Sequence, residues 1–172
     1  MNYSFLKDIV IGVSALVGMV LGLYNLIRSI KKEKVKLTII PKAIMEERIN
    51  TENGKPIFMT ADNDFSNYHS LFGFEIINKS NFTVVVDEIG LIKKGKESRI
   101  VFPIPILGDK GNWPRELNPR NSFTVYCKLD NIIKAAQKHK IKYAYAKTSC
   151  EEICYGNSKA FELLKKFANK NV

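Results

Sequence analysis

The chain has 172 residues, of which 45% are hydrophobic and 26% are charged, and its formal net charge is +10. These values exclude a chain that is disordered throughout, and the length suits one modest domain with an appendage. The charge is unevenly placed, because residues 28–42 contain six basic residues and one acidic residue, next to an apolar run. This position favours membrane lipid as the partner of the charge and argues against nucleic acid.

The N-terminal region is dominated by an apolar run, Ile9–Ile27, in which no side chain is charged. As a helix this run would be about 28 Å long, close to the roughly 30 Å of a bilayer's hydrocarbon core. An amphipathic core helix would carry a polar stripe at helical spacing, and none appears in this run. A cleaved signal peptide usually has a shorter apolar centre, a basic start and a small-x-small cleavage site. The sequence therefore predicts a short head at 1–8, a transmembrane helix at 9–30 and a basic juxtamembrane linker at 31–36.

The charges on either side of the span predict its orientation. Lys7 alone precedes the apolar run, and Asp8 offsets it. Four cations that we expect to contact lipid headgroups follow the run: Arg28, Lys31, Lys32 and Lys34. Because basic residues concentrate on the cytoplasmic side of membrane proteins, we expect a single-pass inner-membrane protein whose soluble domain is cytoplasmic.

After the linker, the hydrophobic pattern changes from helical to alternating. A first strand follows the linker and ends at Pro41, and further strands are predicted at 72–77, 82–92, 98–102, 122–129, 143–148 and 153–156. Turn residues separate these strands. The pattern predicts a mainly β fold, an antiparallel β-sandwich at 37–172 with one or two short helices. Asp130 and Ser158 are the predicted N-caps of those helices.

Two segments show no regular pattern. The first, residues 51–70, contains Asp62, Asp64 and His69, but a calcium loop would need Gly and Glu where Asn67 and Gly73 stand. We therefore predict no metal site, and the alternative is a metal-dependent sensor or enzyme that uses the 62–70 loop.

The second irregular segment, 103–120, contains four prolines and the single tryptophan. Trp113 and Arg115 are of the types that dominate protein interfaces, so we name them as candidate partner-binding residues. The alternative is that Trp113 folds back to fill the end of the sandwich, since a large aromatic side chain is usually buried.

The three cysteines, Cys127, Cys150 and Cys154, form no regular framework. An odd count argues against a disulfide-built secreted domain, and neither histidine stands at zinc-ligand spacing from them. Whether Cys150 and Cys154 form a disulfide is left open. The chain also lacks a nucleophile elbow and a phosphate-binding glycine loop. The sequence therefore predicts a protein without catalytic residues or cofactor.

The runs FGFEIINKSNFTVVVDEIGLIKKGK, LNPRNSFTVYCKLDNI and CYGNSKAF resemble small uncharacterised bacterial and prophage proteins. Those proteins combine one N-terminal membrane anchor with an immunoglobulin-like β-sandwich. The resemblance implies a non-enzymatic module of the bacterial inner membrane that recruits or inhibits a protein partner, in phage exclusion, defence or immunity. It carries over no catalytic residue, because fold likeness does not give function.

Small residues recur every four positions in the apolar run, at Ser14, Gly18 and Gly22. They share one side of a helix, and small residues on one side allow two membrane helices to approach closely and form a homodimer. We predict that Gly18→Ile blocks this pairing and leaves membrane insertion intact, because Ile is at least as apolar as Gly. A membrane dimerisation reporter carrying residues 5–30 measures the effect, and equal signals from the two segments would contradict the prediction.

Overall fold

The computed structural model describes residues 3–49, 56–65, 71–93, 98–102, 106–107 and 112–170. The chain divides into two compact units, Met1–Lys34 and Val35–Val172. The first unit contains one helix, α1 (Tyr3–Glu33). Within α1, the segment Ile11–Ile30 is long and apolar enough to cross a membrane, and none of it is buried. The predicted apolar helix is confirmed, and it is consistent with a membrane anchor or a signal sequence.

The second unit contains ten strands and two helices among its described residues. The strands are β1 (Leu37–Ile49), β2 (Pro56–Ala61), β3 (Leu71–Asn78), β4 (Val84–Lys93), β5 (Arg99–Val101), β6 (Ile106–Leu107), β7 (Arg115–Leu117), β8 (Ser122–Lys128), β9 (Ile141–Thr148) and β10 (Ile153–Gly156). The helices are α2 (Leu129–Lys138) and α3 (Lys159–Lys170).

The strands form two antiparallel sheets, as predicted. The first has the order β2-β1-β3-β8-β6, and the second has the order β10-β9-β4-β5. Strand β7 also pairs with β4, and it shares with β5 the side of β4 that faces away from β9. The sequence prediction missed β2, β6 and β7, which lie in the two segments interpreted as irregular.

The prediction that the first strand ends at Pro41 is wrong. Strand β1 passes through Pro41 and continues to Ile49. Proline lacks an N–H group, so it is tolerated in a strand only where that donor is not needed. At Pro41 the strand pairs with Phe74 of β3, while its pairing with β2 begins only at Ala43. One side of β1 therefore has no β2 partner at the proline, and the strand can extend past it.

The two predicted helix caps have different outcomes. Ser158 is confirmed, since its Oγ accepts the Phe161 N–H at 3.1 Å. The Asp130 cap is wrong, because α2 begins at Leu129 and its N-cap is Lys128, without a side-chain hydrogen bond. Leu129 is only 2% exposed. Because this side chain is buried in the core, α2 follows β8 without a connecting loop. Asp130 lies in the first turn, where a carboxylate still interacts favourably with the helix dipole.

Both sheets and both helices of the second unit contribute to one buried core. The first sheet provides Phe72, Phe74 and Ile76, which are completely buried. The facing residues include Val86 and Leu91 of the second sheet, Ile132 of α2, and Phe161 and Leu164 of α3. The side chains at 72, 74 and 76 alternate along β3, which is how a period of two produces one apolar face. Along β4 a register shift between Val86 and Glu88 interrupts the alternation.

A buried asparagine connects the loops at one end of the sheets. The Asn78 side-chain amide donates to the carbonyl oxygens of Phe82 and Leu117, both at 2.8 Å. Its Oδ1 accepts the Ser80 N–H at 2.8 Å, and the Ser80 Oγ accepts the Lys36 N–H at 2.8 Å. The end of β3, the turn after it, the end of β7 and the residue before β1 are therefore linked by one continuous network.

We predict that Asn78→Ala lowers the free energy of unfolding of the second unit by about 3–5 kcal/mol, because it leaves buried carbonyl groups without donors. Asn118→Ala is the matched control. It removes only an exposed hydrogen bond from Thr83, and its expected effect is within about 0.5 kcal/mol. Urea unfolding of a truncated protein that begins at Lys34, followed by circular dichroism, measures both. Equal effects of the two substitutions would contradict the structural role of Asn78.

Candidate functional site

Trp113 lies half-buried against the core, as the alternative interpretation of the proline-rich segment expected. Its indole Nε1 donates to the carbonyl oxygen of Asp87 at 3.1 Å, and its ring meets the edge of Phe123 with 6.3 Å between centroids. The indole therefore fills a space between β4 and β8. Arg115 is half-buried at the start of β7, in register with Val86. Their role in partner binding stays a prediction.

Two groups of the acidic loop accept hydrogen bonds from the backbone. The Asp64 Oδ1 accepts the Phe65 N–H at 2.7 Å, and the carbonyl oxygen of Asp62 accepts the Ala160 N–H at 2.8 Å. His69 lies outside the described residues, so its convergence with the two aspartates stays untested. Among the residues that the structure describes, no three His, Cys, Asp or Glu side chains are grouped to hold a metal ion.

The cysteines are free thiols that differ in exposure. Burial raises the pKa of the Cys127 thiol to about 12, so at neutral pH it is protonated and unreactive. Cys150 is exposed in the turn between β9 and β10, with its Sγ 3.1 Å from the Thr148 Oγ1. Cys154 lies on β10 and is half-buried.

Tyr145, Glu88 and Arg99 form a cluster on the second sheet that links its strands. Tyr145 is completely buried and donates its hydroxyl to the Glu88 carboxylate, which also pairs with Arg99 at 3.3 Å. Burial, the hydrogen bond to Glu88 and the charge of Glu88 raise the pKa of Tyr145 well above its usual range, although Arg99 opposes the shift. The group joins β4, β5 and β9, and Tyr145 stays neutral at physiological pH.

The described residues also form a cleft of about 550 Å³ between α2, α3 and the start of β9. Its lining includes Ala136 and Ile141, which are buried and apolar. The polar lining is mainly basic, and it consists of Lys140, Lys142, Lys165, Lys166, Asn169 and Glu162. The sequence did not predict this site, since one part of the lining lies at 136–142 and the other lies about twenty residues further along the chain, on α3. Its sequence signals were the lysines at 138–142 and the lysine-rich polar side of α3.

One lysine of this basic cleft is already neutralised. The Lys165 Nζ lies 2.7 Å from the Glu162 Oε1 and donates to the Lys142 carbonyl oxygen at 3.1 Å. Burial acts to raise the pKa of Glu162, but the hydrogen bonds from Lys165 and Asn157 and the nearby charge of Lys166 lower it overall. Glu162 is therefore ionised at neutral pH, and the net charge of the lining is carried by Lys140, Lys142 and Lys166.

The residues predicted to contact membrane lie on or directly after α1. An added Cβ at Gly18 or Gly22 would meet no atom within 4 Å, so that side of the helix is open. Ser14 shares this side and is exposed. The described cationic side chains, those of Arg28, Lys32 and Lys34, are exposed, and the side chain of Lys31 lies outside the described residues.

No protein-family model, curated protein or solved structure matches this chain.

We predict that Trp113→Ala lowers the free energy of unfolding by about 2–4 kcal/mol, because it empties the space beside Phe123. Trp113→Phe keeps most of the ring and loses only the hydrogen bond to Asp87, so a decrease of about 1 kcal/mol is expected. Urea unfolding with circular dichroism as the readout measures both variants. An unchanged stability of Trp113→Ala would show that the indole does not support the core.

Proposed function

We propose that this protein is a single-pass membrane protein whose β domain is a non-catalytic interaction module, which recruits or inhibits a protein partner at the bacterial inner membrane. The observation that carries the proposal is the contrast between the two units. The large apolar side chains of α1, from Ile11 to Ile30, are 46–71% exposed. The second unit, by comparison, has a closed core of its own.

This contrast favours a bilayer over water as the surroundings of α1. Leaving one large apolar side chain in water costs about 1.5–3 kcal/mol relative to burying it, and twelve such side chains are exposed among those of α1 that the structure describes. A bilayer removes that cost, because hydrocarbon is as apolar as the side chains. The cations at the end of α1 then lie at the headgroup level. The positive-inside rule supports a cytoplasmic domain.

The described titratable groups favour binding over catalysis. Asp64 accepts a hydrogen bond from the Phe65 N–H, Tyr145 and Glu88 join strands, and the Cys127 thiol is buried. The two-sheet architecture is compatible with the immunoglobulin-like topology that the sequence resemblance implies, and we include that topology, with a role in phage exclusion, defence or immunity, in the proposal.

The described segment from Asn112 to Leu117, which includes β7, is the proposed partner-binding surface. Trp113 holds it against the core through its hydrogen bond to Asp87. The side chains of Asn112, Pro114 and Glu116 are exposed. A rigid backbone that presents exposed side chains loses little conformational entropy when a partner binds.

We predict that the full chain stays in the membrane pellet after alkaline carbonate washing, and release by the wash would refute the membrane anchor. An alkaline phosphatase fused after Val172 should be inactive, while a fluorescent reporter that needs the cytoplasm should be active.

We also predict that a photo-crosslinking residue at position 116 gives a discrete protein adduct in intact cells. The same residue at position 128, also exposed, is the matched control and should give none. Identical adduct patterns at the two positions would refute the proposed binding surface.

A further inference from the structure

We propose that the basic cleft between α2, α3 and β9 is a binding site for a phosphate group, carried by a small phosphorylated molecule or by a lipid headgroup. The inference concerns the second unit alone and does not depend on the membrane anchor.

The first argument is electrostatic. Lys140, Lys142 and Lys166 converge on one cleft, while the single lining carboxylate, Glu162, is paired with Lys165. Among the described residues, neither Lys140 nor Lys166 has a hydrogen bond or ion pair of its ammonium group. Like charges that are brought together repel each other, so an anion in the cleft would lower the free energy of this arrangement.

The second argument is positional. Lys140 and Lys142 stand two residues apart, on either side of the buried Ile141. Lys165 is held in place by the Lys142 carbonyl oxygen and Glu162, and its ammonium also lies 5.1 Å from the centre of the Phe161 ring. The cleft wall is therefore fixed at Lys165. The Lys142 ammonium lies 4.9 Å from the centre of the Tyr143 ring, while the ammonium groups of Lys140 and Lys166 can turn toward a ligand.

The surrounding groups reinforce the positive potential. His139 adjoins Lys140, and its pKa is lowered by partial burial and by the charges of Lys93 and Lys138. The histidine therefore adds no charge of its own at neutral pH, and the two neighbouring lysines extend the basic surface beyond the cleft lining.

The third argument is chemical. An ammonium group binds phosphate as a compact point charge with three donors, and a phosphate group offers several acceptor oxygens to satisfy more than one lysine. The Asn169 amide supplies a further donor at the wall. The cleft volume of about 550 Å³ lies within the range of small-ligand sites and exceeds what a bare phosphate needs. The apolar floor of Ala136 and Ile141 suits the organic part of a phosphate ester.

The test uses the full chain in phosphatidylcholine nanodiscs, with the methyl groups of alanine and isoleucine labelled for NMR. Inorganic phosphate is titrated at constant ionic strength, and acetate serves as the comparison anion. We expect saturable shifts of the Ala136 and Ile141 methyl signals with phosphate, weaker shifts with acetate, and unchanged signals from the buried Ile76.

Two double variants test whether phosphate binds at a defined site or is attracted only by the general positive charge of the protein. Lys140→Gln with Lys166→Gln should weaken phosphate binding about tenfold, since each removes one ligand-facing charge. Lys79→Gln with Lys128→Gln changes the net charge equally at exposed positions outside the lining, and should weaken binding less than about twofold. Equal weakening by the two pairs, or no saturable shift in the native chain with either phosphate or anionic lipid, would overturn the proposal.

A final arm identifies the source of the phosphate group. Nanodiscs that contain about one third phosphatidylglycerol replace the pure phosphatidylcholine ones, with no soluble phosphate present. Shifts of the same two methyl signals that disappear in the Lys140→Gln, Lys166→Gln variant would assign the site to a lipid headgroup. Shifts that occur only with soluble phosphate would assign it to a free phosphorylated molecule.

Discussion

The buried amide of Asn78 is the interaction on which the end of the β domain depends. Four chain segments meet there, and none of them could be buried without a partner for its backbone groups. One side chain provides two donors and one acceptor at this point, which is nearly all that an amide offers. Because Ser80 in turn receives the Lys36 N–H, the same network determines where the chain enters the first strand.

A close approach of β10 to β1 adds a second constraint. A Cβ atom at Gly156 would overlap the backbone carbonyl of Ile39, so only glycine fits at this position. Strand β10 lies at the end of the second sheet, and β1 belongs to the first. The contact therefore brings the two sheets together at one corner. Together with the Asn78 network it closes the architecture of the second unit.

The positive charge of the protein serves two different purposes in this interpretation. At the end of α1 the cations follow one another along the chain, which suits contact with a headgroup layer that has no fixed shape. Around the cleft they come from separate elements and surround a defined volume. A defined volume can select a ligand by size and hydrogen bonding, whereas a linear cluster responds mainly to charge density.

The sequence by itself determined the features that depend on neighbours along the chain. An uncharged run of 19 residues, Ile9–Ile27, is sufficient to predict α1, and alternation is sufficient to predict β3, β4, β8 and the β9–β10 hairpin. The Ser158 cap was also predictable, because a cap bonds to a residue three positions away. Each of these features is local, so its physical cause is visible in a short window of residues.

Only the tertiary structure decided the features that join distant residues. Strand β2 exists because β1 offers it an edge beyond Pro41, and α2 begins at Leu129 because the core buries that side chain. The cleft could not be predicted from the sequence for the same reason. Along the chain its lysines fall into two separate groups, at 140–142 and 165–166, and the groups meet only because α3 packs beside α2 and the start of β9. Periodicity shows which face of a helix is polar, but what that face lies against depends on packing between elements far apart in sequence.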